Sequence, residues 1–201
     1  MPTRQTCPEP SRRTFPDLWL ISDARNDAAL ERALARLPRG SGFIYRHYHL
    51  SPEERVARWF DLRRIARARD HVTILADSAL TALEWGADGI YGAPRALYPT
   101  RDMLTLATAH DLTEIGLANR MNADAVLLSP AFPTGSHPGA PALGPLRFRV
   151  LAAYARMPVI ALGGMNGHTA RRLGWPRWAA IDGLTCLPRS SRESHETKGD
   201  S

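Results

Sequence analysis

The stretch Ala125-Val126-Leu127-Leu128-Ser129-Pro130-Ala131-Phe132-Pro133-Thr134-Gly135-Ser136-His137-Pro138-Gly139 decides the fold class of this chain. Its first four residues form a short apolar run, which predicts a buried strand. The loop that follows is rich in Gly, Pro and hydroxyl residues and is too long for a mere connector. A second apolar run, residues 159–162, opens in the same way into Gly163-Gly164-Met165-Asn166. Two strand ends with Gly-rich loops predict one shared, phosphate-sized site.

The composition is typical of one soluble domain: 201 residues, of which 44% are hydrophobic and 23% charged. No apolar run approaches the roughly 20 residues that cross a bilayer, so we expect no membrane partner. The two cysteines, Cys7 and Cys186, fit a reducing compartment and lack the spacing of a zinc site. The sequence therefore predicts a cytoplasmic protein.

The net charge of +6 arises from 26 Lys and Arg against 20 Asp and Glu. Much of the excess is arginine at helical spacing, such as Arg63-Arg64 and Arg171-Arg172, which predicts solvated helix faces. No nucleic-acid-binding motif accompanies the charge, so we expect no nucleic-acid partner. The excess is enough to attract a phosphorylated small molecule. Whether the chain forms a homo-oligomer stays open.

Short apolar runs alternate with amphipathic stretches, which predicts βα units and a parallel sheet. Eight runs qualify as strands: residues 18–22, 42–45, 72–76, 89–91, 104–107, 125–128, 159–162 and 179–181. Eight parallel strands close a (β/α)8 TIM barrel, and an open doubly wound sheet is the alternative. We expect a disordered N-terminal segment at 1–16, the barrel at 17–187 and a disordered tail at 188–201.

Helix start signals lie between the predicted strands. Ser51-Pro52-Glu53-Glu54 is a capping box with proline at the first helical position, and it predicts a long Arg-rich helix. Ser78, Asp111 and Pro145 begin three further predicted helices. Residues 92–101 are too few and too rich in proline for a full fourth helix. The sequence also predicts that no full closing helix follows the eighth strand.

In a parallel barrel, ligands meet the carboxyl ends of the strands. The residues at those ends are Asp23, Arg25, Arg46, His47, Asp77, Tyr91, His110, the loop 129–139, Gly163, Gly164, Asp182 and Gly183. They are far apart in the sequence but surround one mouth if the barrel closes. This convergence predicts a single site.

Four of these positions suggest specific chemistry. Gly163-Gly164 exposes backbone amides that can seat an anion, aided by a predicted helix N-terminus near Asn166. Arg46 can hold a phosphate bidentately, or form an ion pair on the rim. His110 is a residue type suited to acid–base catalysis. Asp77 can bind Mg²⁺ together with substrate phosphates, or cap the helix that follows it.

The motifs resemble the thiamine phosphate synthase and thiazole tautomerase family. The strongest likeness is the segment 129–139, followed by Leu143-Gly144 and then by residues 158–166. Weaker support comes from residues 19–23, 87–90 and 109–114. The likeness covers about residues 18–183 and implies a TIM barrel that handles the thiazole phosphate half of thiamine.

The resemblance implies one of three functions. A synthase joins the thiazole phosphate to hydroxymethylpyrimidine diphosphate and releases pyrophosphate with the help of Mg²⁺; this is the family default. A tautomerase-like isomerase moves a proton on the thiazole phosphate by means of a histidine. A non-catalytic barrel that binds a thiamine precursor is the third alternative.

The resemblance also assigns roles to single residues. Arg46 matches the arginine that contacts the diphosphate, Asp77 matches a Mg²⁺-binding aspartate, and His110 matches the tautomerase histidine. Thr134 and Ser136 match the hydroxyls of the sixth loop. The rest of the expected substrate site is His137, Gly163, Gly164, Asp182 and Gly183, with Gly164 beside the thiazole phosphate.

Most departures from the family pattern lie on the diphosphate side. Ile44 and Tyr48 replace a glutamine and a lysine, and Ala76 replaces an asparagine. Pro94-Arg95-Ala96 offers no second carboxylate for a metal. The sequence therefore predicts a depleted metal site beside a better preserved thiazole phosphate side, although there His137 replaces a lysine. The carboxylate of Asp182 is unfavourable beside a phosphate unless it points away.

Overall fold

The computed structural model describes residues 15–98, 103–135 and 141–185, and it contains a closed barrel of eight parallel strands. The strands are β1 Leu18–Ile21, β2 Gly42–Tyr45, β3 Val72–Leu75, β4 Gly89–Gly92, β5 Leu104–Ala109, β6 Ala125–Leu128, β7 Val159–Ala161 and β8 Trp178–Ala180. The helices are α1 Leu30–Arg36, α2 Pro52–Ala68, α3 Ala79–Glu84, α4 Leu112–Arg120, α5 Gly144–Ala152 and α6 Gly167–Leu173. Each strand pairs with the next, and β8 closes on β1 through Leu18 and Trp178. The predicted TIM barrel is confirmed, and the open sheet is excluded.

The predicted strands are present, but several of their ends differ. β5 continues to Ala109 because Thr108 and Ala109 pair with Leu127 and Leu128 of β6. β8 begins at Trp178, one residue earlier than expected, and ends before Ile181, where the chain enters a 3₁₀ helix at Asp182–Leu184. Pairing with the neighbouring strand therefore sets the ends, rather than the apolar run itself.

The strands are buried on both faces, which explains their nearly continuous apolar sequences. One set of side chains fills the barrel interior: Trp19, Ile21, Ile44, Val72, Ile74, Leu106, Ala125, Leu127, Ile160 and Ala179. The alternate strand residues, such as Leu20 and Phe43, pack against helix residues that include Leu34, Trp59 and Leu62. The period of two along each strand thus separates an inner from an outer core.

Trp19 occupies the centre of the barrel because β2 has a glycine directly beside it. Trp19 is fully buried and pairs in register with Gly42. A Cβ atom on Gly42 would overlap the indole ring of Trp19. The indole Nε1 donates a hydrogen bond of 2.9 Å to the carbonyl of Pro16. A large aromatic side chain therefore fills the interior where a branched residue on β2 would not fit.

The helix signals of the sequence are mostly confirmed. Ser51 Oγ accepts from the amide of Glu54, and Glu54 Oε2 accepts from the amide of Ser51, as expected for a capping box. Ser78 and Asp111 cap α3 and α4. The sequence analysis did not predict α1 or the 3₁₀ helix Ala24–Ala29 that precedes it and that Asp23 caps.

The described residues between β4 and β5, 93–98, contain no helix, in line with the predicted short fourth unit; residues 99–102 lie outside the described part. Residues 1–14 and 186–201 also lie outside it, so the disordered ends and the absent closing helix stay predictions. None of the helices in the described ranges is long and apolar enough to cross a membrane.

Candidate active site at the barrel mouth

A cavity of about 790 Å³ opens at the carboxyl ends of the strands. Its lining residues follow β2, β4, β5, β6, β7 and β8. Among them are the predicted site residues Arg46, His110, Thr134, Gly163, Gly164, Asp182 and Gly183. The barrel therefore brings together residues that are widely separated in the sequence. Ser136 and His137 lie outside the described residues, so their predicted roles stay predictions.

The loops after β6 and β7 lie directly against each other. The amide of Phe132 donates to the carbonyl of Gly163 at 3.1 Å. A Cβ atom on Gly163 would lie 2.7 Å from Cα of Pro130, and one on Gly164 would lie 2.9 Å from Cβ of Phe132. Both glycines have positive φ, 91° and 61°. This confirms the prediction that the two loops lie side by side. Glycine is needed at both positions because φ is positive there and because a Cβ atom would collide with the facing loop.

The Gly163-Gly164 turn lines the cavity, and its backbone amides are without acceptors in the described part of the chain. Within residues 15–98, 103–135 and 141–185, the amides of Gly163, Gly164 and Met165 donate no hydrogen bond. The first turn of α6 is different, because Asn166 Oδ1 accepts from the amides of His168 and Thr169 at 2.9 and 3.1 Å. The expected help from this helix N-terminus is therefore largely taken up by its own cap, whereas the amides of the turn itself have no acceptor among the described residues.

Arg46 lies on the cavity with its backbone fixed from two sides. Its amide donates a hydrogen bond of 2.8 Å to Ser22 Oγ, and its carbonyl accepts one of 3.2 Å from Arg55 Nε. The guanidinium lies 5.8 Å from the ring centroid of Tyr48 and 3.9 Å from Asp23 Oδ2. The long ion-pair distance leaves the guanidinium able to contact an anion in the cavity.

A polar network that includes the buried residues Ser22 and His47 contacts the backbone of Arg46. His47 Nδ1 lies 2.8 Å from Ser22 Oγ, and His47 Nε2 lies 2.8 Å from Asp27 Oδ1. Arg58 Nε donates to the same Asp27 oxygen at 2.8 Å. Burial lowers the pKa of His47 from its ordinary value, against the opposing effect of Asp27. The sequence placed His47 at a strand end but gave no sign of this network, although a serine ending the apolar run before Asp23 was a signal.

Two phenols border the cavity near Arg46. Burial raises the pKa of Tyr91 to about 12, so this hydroxyl is neutral at any physiological pH. Partial desolvation also raises the pKa of Tyr48, a residue that is 64% exposed, although the charges of Arg46 and Arg55 oppose the effect. Tyr48 stands where the family pattern has a lysine. At this position the chain therefore has a neutral hydroxyl where the resemblance implies a positive charge.

His110 is held by a carboxylate at the edge of the cavity. Its Nδ1 lies 2.8 Å from Glu114 Oε2, and its backbone amide donates 2.6 Å to the same oxygen. Asp111 caps α4 by accepting from the amide of Glu114 at 2.9 Å. Because Glu114 occupies Nδ1, Nε2 is the ring nitrogen left for a ligand. This pairing of a histidine with a carboxylate suits proton transfer.

Asp77 is engaged with the protein rather than with the cavity. Its Oδ2 accepts from Arg55 Nη1 at 2.6 Å, and its Oδ1 accepts from the amide of Ser78 at 2.7 Å. Burial alone would raise the pKa of Asp77, but these hydrogen bonds lower it below the ordinary value. Within the described ranges, no three His, Cys, Asp or Glu side chains gather into a metal-binding group. With both of its oxygens bonded to the protein, Asp77 does not present the free carboxylate that the Mg²⁺ site implied by the resemblance needs.

Asp182 faces an arginine on the rim of the cavity. Its Oδ2 lies 3.4 Å from Arg25 Nη1, and Arg25 Nε donates to Asp23 Oδ1 at 3.0 Å. A Cβ atom on Gly135 would lie 3.8 Å from Arg25 Nη1, so this guanidinium reaches the loop after β6. The negative charge of Asp182 is therefore offset by the positive charge of Arg25, which also lies near the loop after β6.

Comparison with known proteins finds a matching family and similar folds. Residues 18–174 match the family model described as thiamine monophosphate synthase. The thiamine-phosphate synthase of Methanosarcina barkeri is 28% identical over 161 residues, 75% of this chain and 73% of that protein. The thiamine-phosphate synthase of Pyrococcus furiosus is 26% identical over 177 residues, 85% of this chain and 84% of that protein.

A solved structure described as thiamine phosphate pyrophosphorylase from Pyrococcus furiosus superposes with a TM-score of 0.71 at 23% identity. The superposition covers 86% of this chain and 92% of that one. At this identity the likeness concerns the fold, whereas the family model spans most of the barrel and includes both Gly-rich loops. By that match, the chain belongs to the thiamine monophosphate synthase family.

Proposed function

We propose that the chain is a thiamine phosphate synthase, which joins thiazole phosphate to hydroxymethylpyrimidine diphosphate and releases pyrophosphate. One observation carries the proposal: Arg46 and the Gly163-Gly164 turn line the same cavity, so a cation and a set of open amides meet in one space. Two phosphorylated substrates need two such anion seats. The names of the curated relatives support the same activity.

The thiazole phosphate is assigned to the seat between the loops after β6 and β7. The amides of Gly163, Gly164 and Met165 supply donors there, and Thr134 adds a hydroxyl on the facing loop. Backbone amides bind phosphate oxygens without long side chains that need ordering. Ser136 and His137 extend this seat in our proposal, on the ground of the family motif.

The diphosphate is assigned to the side of Arg46. In the proposed step, the lone pair of the thiazole nitrogen forms a bond to the pyrimidine methylene carbon. The bond from that carbon to the diphosphate oxygen breaks, and its electrons leave with pyrophosphate. The nitrogen becomes positively charged and no proton is transferred, so the protein acts by positioning and by stabilising the leaving anion.

Magnesium has no assigned ligand in this proposal. Family members use it, but Asp77 is bonded to Arg55 and to the amide of Ser78. The stabilisation of the leaving group that we derive comes from Arg46 and from the neutral hydroxyls of Tyr48 and Tyr91. The cytoplasm is the proposed setting, supported by the small number of cysteines.

A second candidate is a tautomerase-like isomerase acting on the thiazole phosphate. The observation that favours it is the contact between His110 Nδ1 and Glu114 Oε2 on the cavity. A histidine so oriented can take a proton from one ring position and return it to another, with no net change in composition. A barrel that only binds a thiamine precursor remains the third candidate.

One experiment separates the three. The purified chain is incubated with both precursors, and thiamine phosphate and pyrophosphate are quantified by chromatography. A synthase forms the two products in equal amounts, and Arg46→Gln lowers kcat/KM by at least about tenfold, because a charge-assisted contact contributes about 1.5–3 kcal/mol. No coupling, with proton exchange on the thiazole phosphate observed by NMR, would instead establish the isomerase. Binding without either reaction would leave the non-catalytic barrel.

A further inference from the structure

Arg55 is enclosed at the diphosphate side by aromatic rings and hydrogen-bond acceptors. Its side chain is 12% exposed. The guanidinium carbon lies 5.8, 5.7 and 5.3 Å from the ring centroids of Tyr45, Tyr48 and Trp85. Such contacts favour a positive charge at this point even though water is largely excluded. The site therefore holds a fixed cation that belongs to the protein.

Each nitrogen of this guanidinium has an acceptor. Nε donates to the carbonyl of Arg46 at 3.2 Å, Nη2 donates to the carbonyl of Ala76 at 3.1 Å, and Nη1 donates to Asp77 Oδ2 at 2.6 Å. Arg55 thus connects the carboxyl ends of β2 and β3. These hydrogen bonds hold the guanidinium beside Asp77, the aspartate that the family motif assigns to the metal.

A divalent cation at Asp77 would have to compete with Arg55. Mg²⁺ approaches carboxylate oxygens to roughly 2.0–2.1 Å and keeps a near-ideal octahedral shell. Both oxygens of Asp77 already accept hydrogen bonds, from Arg55 and from the amide of Ser78. An ion placed there would repel the guanidinium, and a guanidinium displaced from Asp77 would lose the counter-charge of a largely buried pair.

We propose that Arg55 takes the place of the divalent cation beside Asp77, so that this chain binds the leaving pyrophosphate without a metal ion on that carboxylate. The inference rests on the proposed synthase function for the identity of the anion. It does not require Arg55 to contact the anion. The contact is made by Arg46, whose carbonyl Arg55 holds, and Arg55 keeps the charge of Asp77 away from it.

The test measures metal binding rather than turnover. Mn²⁺ stands in for Mg²⁺, and protein-bound Mn²⁺ is measured by electron paramagnetic resonance, with and without inorganic pyrophosphate. The wild type, Asp77→Asn and the surface control Asp61→Asn are expected to bind the same amount. A tenfold or larger loss of bound Mn²⁺ in Asp77→Asn alone would overturn the proposal.

A second measurement uses only the wild-type chain, in case the variant does not fold. Mn²⁺ broadens NMR signals of nearby protons, and the amide of Ser78 is bonded directly to Asp77. Its signal is expected to broaden no more than the amide signals around Asp61. Selective loss of the Ser78 signal at substoichiometric Mn²⁺ contradicts the inference.

A double-mutant cycle tests the pair itself. Arg55→Met and Asp77→Asn are each expected to lower Tm, and the double variant to lower it by less than the sum of the two. Additive shifts would show that the two side chains are not coupled, against the proposal. Thiamine phosphate formation is measured separately. Asp77-dependent Mn²⁺ binding in an enzyme that forms thiamine phosphate refutes this inference alone, whereas failure to form thiamine phosphate refutes the proposed function.

Discussion

The amide of Arg46 donates a 2.8 Å hydrogen bond to Ser22 Oγ, which ties the cation after β2 to the end of β1. The same hydroxyl lies 2.8 Å from His47 Nδ1. One buried oxygen therefore contacts both the amide of Arg46, which lines the cavity, and the ring of His47.

We predict that Ser22→Ala weakens both stability and substrate binding. Loss of the hydroxyl leaves the Arg46 amide and His47 Nδ1 without their partner, which costs about 1–3 kcal/mol of unfolding free energy. The KM for the pyrimidine diphosphate is expected to rise. Ser78→Ala is the matched control, because it removes the cap of α3 at a cost of about 0.5–2 kcal/mol. An unchanged KM in Ser22→Ala would contradict the positioning role.

We predict that Gly164→Ala abolishes phosphate binding. The new Cβ atom would lie 2.9 Å from Cβ of Phe132, and φ is 61°. Gly40→Ala is the control, since Gly40 has φ of 75° but no atom within 4 Å of the added Cβ. Both variants are expected to lose about 1–2 kcal/mol from backbone strain. Only Gly164→Ala should lose affinity for thiazole phosphate in calorimetry; equal affinities would exclude a seat at this turn.

We predict that substitutions of His110 and Glu114 change proton exchange on the thiazole phosphate but not the joining of the two substrates. The proposed coupling step transfers no proton, so His110→Ala should leave kcat within about threefold, well below the 10²–10⁴-fold typical of a general acid or base. Any proton exchange on the thiazole phosphate should disappear in His110→Ala and fall in Glu114→Gln, which loses the carboxylate at Nδ1. Glu53→Gln, in the first turn of α2, is the control. A large loss of coupling in His110→Ala would favour an acid–base mechanism.

We predict that Asp182→Asn tightens phosphate binding. The Asp182 carboxylate lies on the cavity and is 3.4 Å from Arg25 Nη1. Removing its charge ends the repulsion of a phosphate and releases part of Arg25. Both groups are well exposed, so the gain is limited to about 1 kcal/mol, or roughly fivefold in Kd for inorganic phosphate. The measurement is calorimetry at low salt, and weaker binding in the variant would mean that Asp182 helps to hold the ligand.

We predict that the protein loses stability as the pH falls below 6.5, partly through His71. His71 is buried, its Nε2 lies 2.9 Å from the carbonyl of Leu34, and Nδ1 has no partner among the described residues. Burial lowers its pKa from the ordinary 6.5. The unfolded chain therefore binds a proton in the window just below 6.5 that the folded chain does not bind, so unfolding becomes easier there.

The check is urea unfolding at pH 7.5 and pH 5.5. His71→Gln is expected to flatten the dependence by up to about 1.4 kcal/mol per pH unit, the most that one proton contributes. His47 has a lowered pKa as well and accounts for part of the remaining slope. An identical slope in His71→Gln would contradict a neutral, buried His71.

The barrel was predictable because its signals are local. Eight apolar runs, the capping box at Ser51 and the two Gly-rich loops each reflect short-range chemistry. The α1 region was missed because the Asp23 cap of the 3₁₀ helix Ala24–Ala29 belongs to an irregular turn without clear apolar spacing. Strand ends such as Ala109 depend on the neighbouring strand, which periodicity does not reveal.

The site was predictable only in part, for a related reason. The rule that ligands bind at strand ends led to Arg46, His110 and Gly164, because each lies within three residues of the end of a strand. Arg55 was missed, since it is one of many arginines on an Arg-rich helix and nothing in its spacing indicates that it reaches Asp77. Asp77 was expected to bind a metal because the sequence does not show that its carboxylate accepts a hydrogen bond from Arg55, a contact that only folding brings about.

The indole of Trp19, packed against Gly42, leaves no room for a channel along the barrel axis at that level. We therefore expect any ligand of the cavity to enter and leave on the side where the strands end. If the proposed joining of the two substrates takes place, both products therefore leave through the same opening of the barrel.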